Sequence, residues 1–404
     1  MGPNTSFRNA QCHRAVGFQC ADGLRTLCGN KQWPKIGLKR RRSLGRVGDA
    51  KPTVVRHSGS AYVAIDLGTN SCRMLVAVPS EGGFHVVDGF SKVVRLGERV
   101  AETGRLLPAA VDRTLDALDL CAQRLGRREI AGFRAVATEA CRRAEDSEAF
   151  IEKVRARTGF DMEIIDAGEE AALTAAGCGE MLCSGYEHAL VFDIGGGSTE
   201  IMWLATPRGQ AGRILATTSL PFGVVSLRDE FGAEALPDDI FDALLARIDA
   251  TLAPFDQAHG ISDAIARGDV RMIGTSGTVT TLGAMYLQLP RYNRARVDGL
   301  EIRFDSIRQI SARLAGMSCA ERERHPCLGV GRGDLMLMGI AVLRAVCARW
   351  PAGKLGIADR GIREGILAEL MAADGHTAFG PPLQRTNAAQ DGLLPVKTNT
   401  GIIS

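Results

Sequence analysis

Tyr62-Val63-Ala64-Ile65-Asp66-Leu67-Gly68-Thr69-Asn70-Ser71 is the stretch that decides the fold, because the chain repeats it. An apolar run enters a tight turn and resumes as Arg73-Met74-Leu75-Val76-Ala77-Val78. The same plan returns 127 residues later in Ala189-Leu190-Val191-Phe192-Asp193-Ile194-Gly195-Gly196-Gly197-Ser198, followed by Ile201-Met202-Trp203-Leu204. Both copies read as strand, Asp-[Leu/Ile]-Gly-x-x-Ser turn, strand. A repeat at this distance marks a duplicated domain, since solenoid repeats recur every 20–50 residues or so, roughly a third of this spacing.

Outward from each hairpin the chain alternates helix and strand. Pro108 stands ahead of Val111, Leu115, Leu118, Ala122 and Leu125, a helical spacing opened by a proline. Phe133–Ala137 reads as a strand, Ser147–Arg157 as a helix and Met162–Ile165 as a strand. In the second copy Phe241–Leu252 is helical, Val270–Ile273 is a strand and Leu335–Ala348 is a long apolar helix. The expected fold is α/β, with mixed sheets flanked by helices, built twice around a cleft. The expected units are a basic leader 1–59, a first domain 60–186, a second domain 187–373 and a tail 374–404, with Pro381-Pro382 marking the last break.

A turn rich in Gly and Ser gathers backbone N–H groups around one concavity, and such nests bind anions. Glycine permits close approach where a Cβ would block it. Two copies at the heads of two halves predict facing phosphate loops, Gly68-Thr69-Asn70-Ser71 and Gly195-Gly196-Gly197-Ser198-Thr199, with a ligand between them. A third cluster, Gly274-Thr275-Ser276-Gly277-Thr278, follows a strand and precedes the helical stretch Thr280–Leu287. It places further donors at a helix N-terminus, another anion-binding position. Asp66 and Asp193, at the rims of the first two turns, are natural ligands for a hard divalent cation, Mg²⁺ or Mn²⁺.

Composition narrows the class. Of 404 residues, 45% are hydrophobic and 24% charged, which excludes wholesale disorder and fibrous repeats. No apolar run reaches the roughly 18 residues of a membrane span. The net charge of +3 conceals an asymmetry: residues 1–60 carry +10 and the rest −7. The leader includes Lys39-Arg40-Arg41-Arg42 and lacks the charge-then-apolar order of a secretory signal. It reads as a disordered extension or an organellar presequence. The 11 cysteines form no C-x-x-C pair, the nearest two being Cys178 and Cys183, so buried free thiols are expected.

The three loops resemble the actin, sugar-kinase and heat-shock-chaperone superfamily, whose halves are actin-like (ribonuclease H-like) domains. Further strings make the resemblance narrower: Arg95-Leu96-Gly97-Glu98, Ala137-Thr138-Glu139-Ala140-Cys141-Arg142, Gly168-Glu169-Glu170-Ala171, and Asp359-Arg360-Gly361-Ile362-Arg363-Glu364-Gly365. Together the motifs cover about residues 61–370 and resemble the exopolyphosphatase and guanosine pentaphosphate phosphohydrolase (Ppx/GppA) family in its short, two-domain form.

That resemblance implies release of terminal orthophosphate from inorganic polyphosphate, conversion of pppGpp to ppGpp, or both. It implies Glu170 as catalytic base and Glu200 as partner carboxylate, with Arg73, Arg95 and Arg142 as cleft cations for phosphate. It also implies polyphosphate and guanosine penta- or tetraphosphate as partners, a cytoplasmic homodimer, and no membrane or specific nucleic acid. Two residues depart from the family pattern: Cys141 where Leu often precedes the arginine, and Ala172 where Arg often follows the Glu-Glu-Ala string. The second departure bears on substrate preference, because it removes a possible cation beside Glu170. The rival classes are a small-molecule kinase using the same loops with ATP, and a non-catalytic sensor of guanosine tetraphosphate.

Overall fold

The strand Ala61–Leu67 (β1) is buried along its whole length, with Val63, Ile65 and Leu67 on one face and Tyr62 and Ala64 on the other. A strand covered on both faces has no polar side to show, which is why the sequence there is an unbroken apolar run. The chain is described here by a computed structural model covering residues 60–376, except 127, 183–184, 209–211 and 329–330, together with Leu383. The expectations for the leader, for Cys183 and for most of the tail lie outside the described residues.

Strand β1 pairs antiparallel with β2 (Ser71–Ser80), which pairs antiparallel with β3 (Gly83–Val93). On its other side β1 runs parallel to β4 (Ile130–Ala137), and β4 runs parallel to β5 (Met162–Ile164). The second sheet contains β6 (His188–Ile194), β7 (Thr199–Ala205), β8 (Arg213–Leu220), β9 (Val270–Thr275), β10 (Glu301–Arg303) and β11 (Lys354–Ile357). Its order is β10-β11-β9-β6-β7-β8, against β3-β2-β1-β4-β5 in the first. Strand β6 again pairs antiparallel with its hairpin partner and parallel with the strand on its other side. The duplication therefore extends from the hairpins to whole sheets, with β10 added at one edge.

Helix Pro108–Leu125 starts on its proline and buries Val111, Leu115, Leu118 and Leu125. Each such side chain contributes about 1.5–3 kcal/mol when taken from water. Two helices run longer than their patterns indicated. Asp238–His259 continues past Phe241–Leu252, and Ser276–Tyr286 begins directly at the third glycine cluster instead of at Thr280. That cluster is consequently a strand end joined to a helical first turn, with no intervening loop.

Two helices reach across the division expected between 186 and 187. Helix Ile362–Ala373, expected in the second domain, packs Ile362, Ile366, Leu367 and Met371 against Tyr62, Ala64, Leu75 and Ala77 of the first sheet. Helix Ala167–Gly177, expected in the first, packs Ala171, Ala172 and Ala175 against Val191, Met202 and Leu204 of the second. The two helices cross between the sheets. A Cβ on Gly365 would run into the carbonyl oxygen of Leu173, and one on Gly177 into that of Gly361. Only glycine lets the backbones approach so closely.

Candidate active site

The cleft between the two sheets is floored by the two duplicated turns. Each is closed by the same hydrogen bond, Gly68 N to Ser71 O at 3.0 Å and Gly195 N to Ser198 O at 2.9 Å. Neighbouring segments occupy the turn carbonyls. Val94 and Arg95 amides donate to Asn70 O and the Gly97 amide to Thr69 O, while Val224 and Val225 amides donate to Gly195 O and Gly196 O. Among the described residues, the amides of Thr69, Asn70, Gly196, Gly197 and Ser198 donate to no acceptor. Amides left over around a concavity form an anion nest. The turns also touch each other: a Cβ on Gly196 would lie 2.8 Å from Thr69 Cβ and 3.0 Å from Asn70 N.

Asp66, Gly68, Thr69, Asn70, Ser71, Arg73, Glu170, Asp193, Gly195, Gly196, Gly197, Ser198, Ser276, Gly277 and Thr278 all line this cleft. Ser276 adopts φ = 83°, a left-handed conformation costly for a non-glycine residue, and its hydroxyl donates to Ile194 O. That hydrogen bond holds the third glycine cluster against the second turn and keeps the strained backbone in place.

Of the paired acids Glu169 and Glu170, the first faces outward to Arg134 at 2.6 Å, and Asp166 caps its helix. Glu170 is buried and turned to the cleft. Burial, and after it the charge of Glu200, pushes its carboxyl well above the usual range. Glu200 lies deeper, 1% exposed, with Oε1 accepting from Ser198 Oγ at 2.6 Å and Ser219 Oγ at 3.0 Å. Burial and then Asp193 push it up to about 7. Burial raises Asp193 to about 6, with Arg73 opposing, and raises Asp66 as well.

The halves differ in charge at one register position. Arg73 stands opposite Asp66 across the first hairpin, and Glu200 stands opposite Asp193 across the second. The duplicated frame thus holds a cation in one copy and a carboxylate in the other.

Four expected phosphate contacts are engaged elsewhere. Arg142 donates to Glu170 at 2.7 Å, to Ile165 O at 2.9 Å and twice to Glu139, so in this structure it clamps the acid. Arg95 pairs with Asp334 at 2.9 Å. Thr199 is fully buried with its hydroxyl on Phe222 O, and Gly274 abuts the Phe192 ring. Their polar atoms are directed by packing that motif matching does not see.

Sequence reading missed Arg332. It lines the cleft, and among the described residues neither its guanidinium nor that of Arg73 has a hydrogen-bond or ion-pair partner. Burial, and after it the charge of Arg73, lowers the Arg332 pKa below the usual arginine range. Two part-buried guanidinium groups of like charge facing one cleft favour an anion beside them. The available signal was an arginine set between glycines, Gly331-Arg332-Gly333, directly before an apolar helix.

Duplicated actin-like domains with opposed glycine-rich turns and a carboxylate-lined cleft define the class of this protein. The Ppx/GppA phosphatase family model matches residues 75–373, and the chain belongs to that family. It is 30% identical over 322 residues to Exopolyphosphatase 2 of Mycobacterium tuberculosis (strain H37Rv), covering 76% of this chain and 97% of that one. It is 34% identical over 227 residues to guanosine-5'-triphosphate,3'-diphosphate pyrophosphatase of Aliivibrio fischeri (strain MJ11). There the match covers 56% of this chain and only 44% of the relative. The solved structure of an exopolyphosphatase-like protein superposes with a TM-score of 0.69 at 29% identity, covering 76% of this chain and 97% of the other.

Proposed function

We propose that the chain hydrolyses the terminal phosphoanhydride bond of inorganic polyphosphate, of pppGpp, or of both, by attack of a water activated at Glu170. The observation that carries this reading is the partition of one cleft: unpartnered Arg73 and Arg332 with spare amides for phosphate, and buried carboxylates facing them. Glu170 would accept a proton from water as its oxygen attacks the terminal phosphorus. The bond to the bridging oxygen then breaks, and the shortened chain leaves as the anion. A carboxyl raised from its ordinary value is better matched to a base working near neutrality. Arg142 holds Glu170 in one orientation, and the serine hydroxyls do the same for Glu200.

Asp66 and Asp193 would hold Mg²⁺ or Mn²⁺. Asp66 Oδ1 is buried without a partner, an orphan acceptor that a cation would satisfy. Among the described residues no three His, Cys, Asp or Glu side chains converge on one point, so phosphate oxygens and water would complete the shell. The ion supplies charge neutralisation for the transferring phosphoryl group. The relative whose length the match nearly fills is named for polyphosphate, which supports that substrate first.

The test is Glu170→Gln. Orthophosphate release from polyphosphate should fall by roughly 10²–10⁴ while binding persists, the loss typical of a missing base. A variant that turns over at the wild-type rate would remove Glu170 from the mechanism.

A further inference from the structure

We infer that Arg95 is a positioning residue: with Asp334 it forms an ionic clasp between the two halves that holds Arg332 in the cleft. The inference rests on the reading of Arg332 as a phosphate contact.

Arg95 acts through both its backbone and its side chain. Its amide donates to Asn70 O and so braces the first phosphate turn from behind. Its guanidinium crosses to the other half, where Nη2 reaches Asp334 at 2.9 Å and Gly331 O at 3.3 Å. Gly331 and Asp334 flank Arg332, so the contacts fall on both sides of the residue that lines the cleft. Asp334 is also held by Arg228 Nε at 3.3 Å; Arg228 pairs with Asp229 at 2.9 Å, and Asp229 accepts the Arg99 amide at 2.8 Å. The connection therefore returns to the segment it started from, and Arg95 to Arg99 is tied to the second half at both ends.

The conformation of that segment agrees with such a role. Arg95 and Arg99 have φ of 51° and 57°, two non-glycine residues in the left-handed region within five positions. Such backbone persists where the surroundings over-determine it, as two anchors across a cleft would do. The pair is also sheltered, at 23% side-chain exposure for Arg95 and 10% for Asp334, which spares it much of the screening that weakens surface ion pairs. Arg95 is not among the residues that line the cleft and spends Nη2 on a carboxylate and a carbonyl, whereas Arg332 lines the cleft with a guanidinium that has no partner among the described residues.

A double-mutant cycle separates positioning from direct contact, because residues that act through each other are not additive. The variants are Arg95→Ala, Asp334→Ala, both together, and the exchange Arg95→Asp with Asp334→Arg. Measured on the full chain are KM and kcat for polyphosphate and, independently of turnover, the Kd of imidodiphosphate by calorimetry. If the clasp positions Arg332, each single variant weakens binding about 3- to 10-fold with kcat nearly unchanged, a range typical for contacting pairs. The double variant is then no worse than the weaker single one, and the exchange recovers much of the loss. Amide hydrogen exchange at 331–336 should speed up equally in both single variants. If Arg95→Ala still weakens binding by its full factor in the Asp334→Ala background, Arg95 touches phosphate directly and the inference is overturned. An Asp334→Ala chain that binds as the wild type does would overturn it too. Arg95→Lys and Asp334→Asn, which keep size and hydrogen bonding, serve if an alanine variant does not fold. A wild-type chain that releases no orthophosphate defeats the proposed reaction alone, since imidodiphosphate binding still decides the clasp.

Discussion

Asp193 and Glu200 face each other across a hairpin, and both carboxyls are raised, to about 6 and about 7, chiefly by burial. A carboxyl whose folded value lies above its unfolded one leaves the native state holding more protons than the unfolded chain. Stability from these groups is therefore complete below about pH 4 and is lost as pH rises through 6 and 7. In the presence of a chelator, the melting temperature should fall between pH 5 and pH 8. Asp193→Asn should flatten that fall and gain on the order of 1–3 kcal/mol at pH 8. A wild-type melting temperature that climbs over the same range would show that the cleft acids are ionised at little cost. Catalysis should move the other way, its acid limb rising through pH 6 to 7 as these groups ionise.

At the scale of elements, the crossing of Ala167–Gly177 with Ile362–Ala373 rests on backbone contact at Gly177 and Gly365. Gly365→Ala should cost about 3 kcal/mol, at the upper end for overpacking, because the obstacle is main chain and cannot turn aside. Urea unfolding measures it, and an unchanged midpoint would mean the helices are free to separate. The duplicated hairpins were legible because β1 and β6 are covered on both faces, and their turns carry glycines where loops meet. Strands β8, β10 and β11 were not: β8 mixes buried and part-exposed residues without clean alternation, and the other two are only three and four residues long. Of the cleft lining, the turn glycines with Asp66 and Asp193 follow from local spacing, which sets them at strand ends, whereas Glu170 and Glu200 come only from the family resemblance. The arginines do not follow from spacing, because their fates depend on partners as distant as Asp334, 239 residues from Arg95. No local pattern distinguishes Arg73, whose guanidinium has no partner among the described residues, from Arg142, which is bound to two carboxylates and a carbonyl.

For the whole molecule, charge is unevenly placed: +10 on residues 1–60 and −7 on the rest. An acidic body repels a polyanion at long range, so attraction must come from the cleft arginines or from the basic leader. Deleting residues 1–58 should raise KM for long polyphosphate at low salt, and should leave a short oligomer unaffected. Roughly 0.15 M salt, with a Debye length of about 8 Å, should reduce the difference. Identical kinetics for both chains at every salt concentration would give the leader no part in capture. The exchanged helices carry a consequence of another kind. Although the sheets are copies, neither copy is a self-sufficient module: severed between 186 and 187, the amino-terminal fragment would leave with a helix that covers its sister's sheet, and would leave one face of its own sheet bare. Expressed apart, each fragment would present a greasy, unfinished face. Expressed together they would reassemble, each completing the other, so the ancient doubling survives as two parts that are no longer interchangeable or separable.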